Sequence, residues 1–467
     1  MKTVVIIGAG ITGLDIAQRL LEKGFKVIIL EKSQKVGGMC ASFKYKDFIL
    51  DYGPHKFYTQ LPGVYDEFKR IVGKEYVEVK KRNSLRLLGK YFEFPVKFTQ
   101  LMRGIPPLIA AKVARDVGFN TAKNVFKKKK IVTFEDYFIK GFGKTGYNLL
   151  FGDYARKVWG DPQTLTEELA RRRVPVGSIF DVIKNLVVQH KKDVSAEYFY
   201  YPTYGYGVIA EKLSKMILKK GGKILFECSP KEIIVKDKKI HEIVYADKKG
   251  ETFRLPCDIV VSSLSITELP SLVRPKVSKK VTDATKKLAF RSLVIAYVFL
   301  KKERVLKDNW IFFPEKEFVF NRVAEQKSFS DQTGPKGKTV ITAEITCDFG
   351  DEMYNATDKE LKEMIVADLE KAGLIQKEWV YDFITRRAGR VYPVYTLDYK
   401  EQLKTILDEL DEIENFYTVG RLGLFNYNNA DHCIDMGKVT AELIIEEKSQ
   451  EDWKKARDYF DSYKIVD

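Results

Sequence analysis

Residues 4–7, Val-Val-Ile-Ile, form an unbroken apolar run that passes directly into Gly8-Ala9-Gly10-Ile11-Thr12-Gly13. Such a run, bounded by glycine, predicts a strand buried on both faces. A helical stretch follows, and a second apolar strand over residues 26–30 ends on Glu31. Each part has a mechanical reason. Gly8 permits the tight turn, Gly10 lets backbone approach a pyrophosphate, and Gly13 lets helix pack closely on strand. The first turn of the helix then offers unpaired N–H groups and a positive dipole end to phosphate. Glu31, eighteen residues after Gly13, is placed to accept ribose hydroxyls. A glycine-rich turn in an ordinary βαβ unit is the competing reading. The order of the whole strand–turn–helix–strand–acid unit argues for a dinucleotide site.

The pattern changes several times further on. Residues 75–100 alternate apolar and charged positions and predict a hairpin, and residues 100–195 are largely helical with Pro and Gly breaks. Tyr204-Gly205-Tyr206-Gly207 leads into a helix over 208–218. Residues 223–247 and 258–263 read as strands returning to the nucleotide domain. Residues 285–400 carry further strands and a helix over 358–372. A last strand, 416–419, delivers Gly420-Arg421-Leu422-Gly423, with a helix beginning near Ile434. The nucleotide domain is therefore expected from three segments, 1–75, 201–270 and 406–467. A hairpin and helical substrate lobe (76–200) and a sheet-rich substrate domain (271–405) interrupt it. Truncation at either end should then destroy cofactor binding.

At 467 residues the chain exceeds one ordinary domain, and 45% apolar with 13% aromatic residues suffices for a large core. No run of uncharged apolar residues is long enough for a membrane span, and the first strand opens so early that no signal or transit peptide is expected. Five scattered cysteines without CxxC spacing suit reduced thiols in a cytoplasm, and the four histidines suggest no metal site. The net charge of +16 is mainly a lysine-rich solvated surface. No nucleic-acid motif accompanies it. The basic stretch 123–130, near Pro106-Pro107, is compatible with peripheral contact to an anionic membrane.

Gly37-Gly38, shortly after Glu31, is similar to the Gly-Gly of FAD enzymes in the glutathione-reductase-like superfamily, where the chain runs beside pyrophosphate and flavin. Beyond that, the chain resembles the UDP-galactopyranose mutases and their relatives among FAD proteins of polysaccharide biosynthesis. Besides the nucleotide fingerprint, four blocks carry the resemblance. Tyr52-Gly53-Pro54-His55 looks like the loop that lies against the flavin, though Lys56 replaces an apolar residue after the His. Tyr154, Trp159-Gly160 and Arg173 before Val174-Pro175-Val176 are similar to the sugar-nucleotide site. Phe320-Asn321-Arg322 resembles a Phe-x-Arg that approaches the diphosphate. Gly420-Arg421-Leu422-Gly423 with Tyr427 six residues beyond Arg421 matches a Gly-Arg-x-Gly and a diphosphate tyrosine, and Tyr392-Pro393 is a further tyrosine of that kind.

The resemblance implies an α/β fold: a Rossmann-type FAD-binding domain interleaved with a helical lobe and an antiparallel-sheet substrate domain. FAD would be held by Gly8, Gly10, Gly13, Glu31, Gly37, Gly38, His55, Gly420 and Arg421. A UDP-sugar would be held by Tyr154, Trp159, Arg173, Arg322, Tyr392 and Tyr427, with His55, Arg173 and Arg322 at the reacting centre. The implied activity interconverts pyranose and furanose through reduced flavin N5, without net redox change. Arginine forks and neutral tyrosine hydroxyls suit a diphosphate on chemical grounds. Trp159 also reads as a core residue, and Glu325 is at hand as a structural partner for Arg322. Asn429 stands where the mutases have Asp. The run Asn428-Asn429-Ala430-Asp431-His432 is similar to a broader protoporphyrinogen-oxidase-like and amine-oxidase-like branch. That keeps two alternatives: a flavin oxidase or desaturase, and a flavoprotein that only scaffolds glycan assembly.

Overall fold

The computed structural model describes residues 1–96, 98–126, 130–173 and 197–465. The chain divides into two compact units. One contains Met1–Val77, Tyr200–Ala289 and Asp398–Ile465; the other contains Glu78–Phe199 and Phe290–Leu397.

The first unit is organised by a five-stranded parallel sheet. Its central strand, Thr3–Ile7, pairs Lys26–Leu30 on one side and Ile259–Ser262 on the other. Lys223–Leu225 and Phe416–Thr418 form the edges. Val4, Val5 and Ile6 are fully buried, as strands covered on both faces must be. The chain passes from the central strand to Lys26–Leu30 on one side and returns much later to Ile259–Ser262 on the other, a switch in strand order that leaves a crevice at the carboxyl ends.

Ile259–Ser262 joins this sheet, but of residues 223–247 only Lys223–Leu225 does. Ser229–Lys236, Lys239–Ala246, Thr252–Pro256 and Val273–Arg274 form a separate four-stranded sheet. The reason lies in their alternation: Ile233, Ile240 and Ile243 are buried while Lys231, Lys239 and His241 face water. A sheet with one wet face suits that pattern and an all-buried parallel strand does not. The unit also runs on past residue 270 to Ala289. The helix Lys279–Lys287 stays with it by packing on Tyr399–Leu410, where Ser278 N–H and Oγ donate to Glu409 at 2.7 and 2.5 Å. The last expected helix begins four residues early, as Ala430–Ile445, because Asn429 caps it and its N–H donates to His432 Nδ1 at 3.1 Å.

The second unit carries a seven-stranded sheet, ordered Val380–Val394, Ala289–Leu300, Thr339–Cys347, Arg322–Glu325, Trp310–Phe312, Asn83–Leu87, Lys90–Glu93. It is not wholly antiparallel: Trp310–Phe312 runs parallel to Asn83–Leu87. Leu361, Ile365 and Leu369 of the helix Asp358–Lys371 close its core over Val294, Ala296 and Val298. Helices Pro107–Phe126 and Phe134–Tyr147 pack together, the second opened by a Thr133–Asp136 capping box.

The helix Ile11–Glu22 is buried almost all round, because it packs on the sheet, on Val208–Lys219 and on Ala430–Ile445. It therefore encloses a carboxylate. Asp15 accepts from Arg19 Nε at 2.7 Å, and Arg19 also reaches Glu67 at 2.9 Å. Burial pushes the Asp15 carboxyl up to about 7 despite the Arg19 guanidinium. A folded-state pKa above the unfolded one means the native state holds the extra proton. The Asp15 contribution is thus full below pH 4 and declines as pH rises toward 7. Asp15→Asn is expected to gain on the wild type across that window by roughly 2–4 kcal/mol. Paired melting curves from pH 4 to 8 check this; a difference that does not change with pH would refute it.

Candidate functional site

The turn after Thr3–Ile7 is held backbone to backbone. Gly8 has φ +102°, its N–H donates to Leu30 O at 2.8 Å, and a Cβ there would lie 2.2 Å from Ser263 Oγ. A Cβ at Gly13 would lie 2.3 Å from Gly8 O, so helix and turn touch only because residue 13 has none. Gly37 has φ +109°, donates to Ala9 O at 2.8 Å and bridges Gly10 in parallel, while Gly38 faces Gly10 Cα. A Cβ on Gly10, by contrast, would meet no protein atom within 4 Å. A bared backbone strip beside a helix N-terminus fits the pyrophosphate of a dinucleotide.

Glu31 is 8% exposed and ends the adjoining strand. Its Oε2 accepts from Ala9 N–H at 2.8 Å, and its Oε1 accepts from Ser33 N–H and Oγ at 2.8 and 2.7 Å. The carboxylate is thereby fixed at the rim of the crevice, with a lone pair of Oε2 left to accept from a hydroxyl.

Gly420, at φ +81°, opens the last segment against Thr12 of the first helix. Arg421 next to it is aimed from two sides. Its Nη1 donates to Asn428 O at 2.7 Å, and its guanidinium lies 5.0 Å above the Tyr427 ring. Tyr427 itself is only 1% exposed. In this structure it supports Arg421 from within the core. Beside it, burial pushes the Asp431 carboxyl up and the His432 imidazole down.

His55 stacks on Tyr206, centroids 4.8 Å apart. Sequence reasoning passed over what places them. The buried carboxylate of Asp51 accepts from Ser42 Oγ at 2.5 Å, Tyr201 Oη at 2.5 Å and Tyr206 N–H at 3.1 Å. It thus ties the hairpin Ser42–Tyr45/Phe48–Asp51 to the Tyr204-Gly205-Tyr206-Gly207 turn. The signal in the sequence is the glycine pair: a Cβ at Gly207 would sit 2.4 Å from Ser42 N.

The second unit assembles a separate group. Arg322 and Glu344 face each other in register on adjacent antiparallel strands, and Arg322 Nε donates to Glu344, which is 2% exposed. Despite its burial the guanidinium is held firmly charged, first by Glu344 and then by Tyr392 and Tyr154. The structure therefore brings Arg322, Tyr154 and Tyr392 together. Trp159, 7% exposed, packs on Phe134 and edge-on to Tyr154. Its ring thus backs the tyrosine. Glu325 does not pair with Arg322; it accepts from Leu306 N–H and Thr339 Oγ1 at 2.8 and 2.5 Å. Lys157, on the same helix as Tyr154, donates to the carbonyls of Phe313 and Phe320 at 3.0 and 3.2 Å, and burial pulls its ammonium down to about 8. The Arg173 side chain and residues 174–176 lie outside the described residues. In the turn before, Arg172 is the enclosed arginine, paired with Glu168 at 2.7 Å and set over Tyr395.

A glycine-lined turn on a parallel sheet, in a chain with a second sheet-based unit, suits a protein that holds a nucleotide cofactor. The sequence profile of the flavin containing amine oxidoreductases matches residues 11–421, and the chain belongs to that family, whose cofactor is a flavin. Among curated relatives it is 26% identical to a probable UDP-galactopyranose mutase of Klebsiella pneumoniae, over 38% of this chain and 47% of that one. It is likewise 26% identical to the dTDP-fucopyranose mutase of Escherichia coli, over 39% and 48%. The chain spans about half the length of these relatives. The fold is that of a reduced UDP-galactopyranose mutase crystal structure (TM-score 0.85, 19% identity, all of both chains). A protein described as a putative protoporphyrinogen oxidase from Exiguobacterium sp. 255-15 superposes with TM-score 0.74 at 16% identity, over 96% of this chain and 99% of that one.

Two outcomes follow from the geometry. Gly37→Val, which forces a side chain against Ala41 Cα at 3.0 Å and Ala210 at 3.1 Å, should cut the flavin content of purified protein at least about tenfold. Gly24→Ala, also at positive φ but with nothing within 4 Å, should keep it. Glu344→Ala should cost about 3–5 kcal/mol by stranding the Arg322 charge, and Arg322→Met/Glu344→Leu should recover most of that. Denaturant titration measures both; equal losses in the single and double variants would contradict the pairing.

Proposed function

We propose that this chain is a FAD-dependent sugar-nucleotide mutase, interconverting pyranose and furanose forms of a UDP-galactose-type substrate with its FAD reduced. The observation that carries the proposal is the Arg322–Glu344 pair with Tyr154 and Tyr392 about the guanidinium. Glu344 takes Nε and leaves the terminal amino groups of Arg322 for a bidentate anion, while tyrosines add donors without adding charge. A diphosphate is the group such a wall suits. Arg173 would add a second cation.

In this reading the Rossmann-type cofactor domain is formed by residues 1–75, 201–270 and 406–467. Gly8, Gly10, Gly13, Gly37 and Gly38 hold the FAD pyrophosphate, Glu31 the ribose, and Gly420, Arg421 and His55 the flavin end. The bound flavin supplies a nucleophilic, electron-rich ring. The protein's own part is to hold the diphosphate while the sugar rearranges and to keep His55 in one orientation by its stack on Tyr206. Similarity to two mutases acting on different nucleotide sugars supports the reaction type more than the sugar. The five unpaired cysteines suit a reducing cytoplasm.

A second reading, a flavin oxidoreductase acting on an amine, a porphyrinogen or a polyprenyl compound, is favoured by one feature. Asn429 is spent as the cap of Ala430–Ile445 where the mutases have an acid.

The deciding experiment titrates dithionite-reduced and oxidised protein with UDP and UDP-galactose and assays for furanose. The mutase reading expects turnover only in the reduced state, and a UDP Kd at least about tenfold weaker in Arg322→Ala. Absence of UDP binding, together with flavin reduction by an amine, a porphyrinogen or a polyprenyl compound, would overturn it and establish the oxidoreductase.

A further inference from the structure

The helix Pro107–Phe126 presents a face that nothing among the described residues covers. Pro107, Leu108, Ala111, Lys112, Ala114, Arg115, Gly118 and Phe119 are all exposed, Leu108 at 80% and Phe119 at 68%. Leu108, Lys112, Arg115 and Phe119 follow one another at spacings of four, three and four, which puts them on a stripe about 60° wide. Two large apolar side chains thus stand at either end of a line whose middle is two cations. The opposite face is ordinary core: Val113 is 3% exposed, and the helix packs there on Phe134–Tyr147. Its single acid, Asp116, is turned to that side, accepting from Thr145 N–H and Oγ1 at 3.0 and 2.7 Å. It also touches Arg115 at 3.2 Å, but the Arg115 side chain remains 74% exposed. The exposed stripe is apolar and positive, with no negative charge of its own.

We infer that this face docks the protein on an anionic lipid surface, lying in the plane of the bilayer. The chemistry selects that partner over a protein groove. Exposed Leu and Phe bury in the acyl boundary, and Lys112 and Arg115 extend their apolar stems between them and place their charges at the phosphates. Such a helix lies on a membrane and does not cross it; no helix among the described residues is long and apolar enough to do so. A chain of net charge +16 adds long-range attraction toward the same surface. The inference stands apart from the reaction at the flavin, since no residue of the stripe belongs to the cradle or to the Arg322 group.

The test uses full-length flavin-loaded protein, co-sedimented with vesicles of phosphatidylglycerol and phosphatidylcholine and with vesicles of phosphatidylcholine alone. Binding is expected to the anionic vesicles only and to weaken with salt. Lys112→Glu/Arg115→Glu and Leu108→Ser/Phe119→Ser should each weaken it at least about tenfold. Flavin absorbance and melting temperature, unchanged in both, show that the fold is intact. Equal binding to neutral vesicles, no binding, or variants that bind as the wild type does would each overturn the inference. So would a dimer in solution that Leu108→Ser/Phe119→Ser converts to monomer, since a second copy would then cover this face.

Discussion

At the carboxyl end of Thr3–Ile7, main chain must come against its neighbours with no Cβ of its own between, and the first unit is arranged around that requirement. Gly8 sits against Ser263, Gly13 against Gly8, Gly10 against Gly37, and Gly420 against Thr12. Four stretches far apart in sequence converge within a few ångströms. A methyl group at Gly13 would press on Gly8 O, and one at Gly37 on Ala41 and Ala210. The surrounding polar contacts all hold that approach in place: Glu31 grips the turn through Ala9, and Asp51 ties the Ser42 hairpin to the Tyr206 turn. The surface bared at this turn is therefore mostly backbone, whose N–H groups are directional and cannot swing away.

The other unit solves its problem with buried charge. Arg322 is neutralised by Glu344 across one strand pair, and Lys157 is sheathed by carbonyls of residues 313–320. Removing cations from water is costly, and a chain seeking only stability would fill these places with leucine. Keeping a charged fork there, with tyrosines beside it, is the kind of expense that recognition of an anion accounts for.

The glycine turn was legible from sequence because its logic is local: strand, turn, helix and acid follow in one stretch of thirty-one residues. The partner of Arg322 was not. Glu325 is its neighbour in sequence, but three residues along a strand is an odd number, which sends that side chain to the opposite face. The true partner, Glu344, is fixed by register with the strand Thr339–Cys347, and no local pattern carries it. Tyr427 and Trp159 show a different limit. Their residue types suit both binding and packing, and only exposures of 1% and 7% separate the two. The alternation over 229–246 was visible, but its meaning, a sheet with a wet face, depended on which side the rest of the unit would cover.

The edge strand Phe416–Thr418 and the Gly420 turn reach the cradle only after more than four hundred residues have been made. Contacts of such long range are slow to form, and those of Phe416–Gly420 must wait until that segment has been made. The crevice is therefore complete only once that segment is in place. A chain that stops short of Gly420 lacks one wall of that crevice, however well its first βαβ unit has formed.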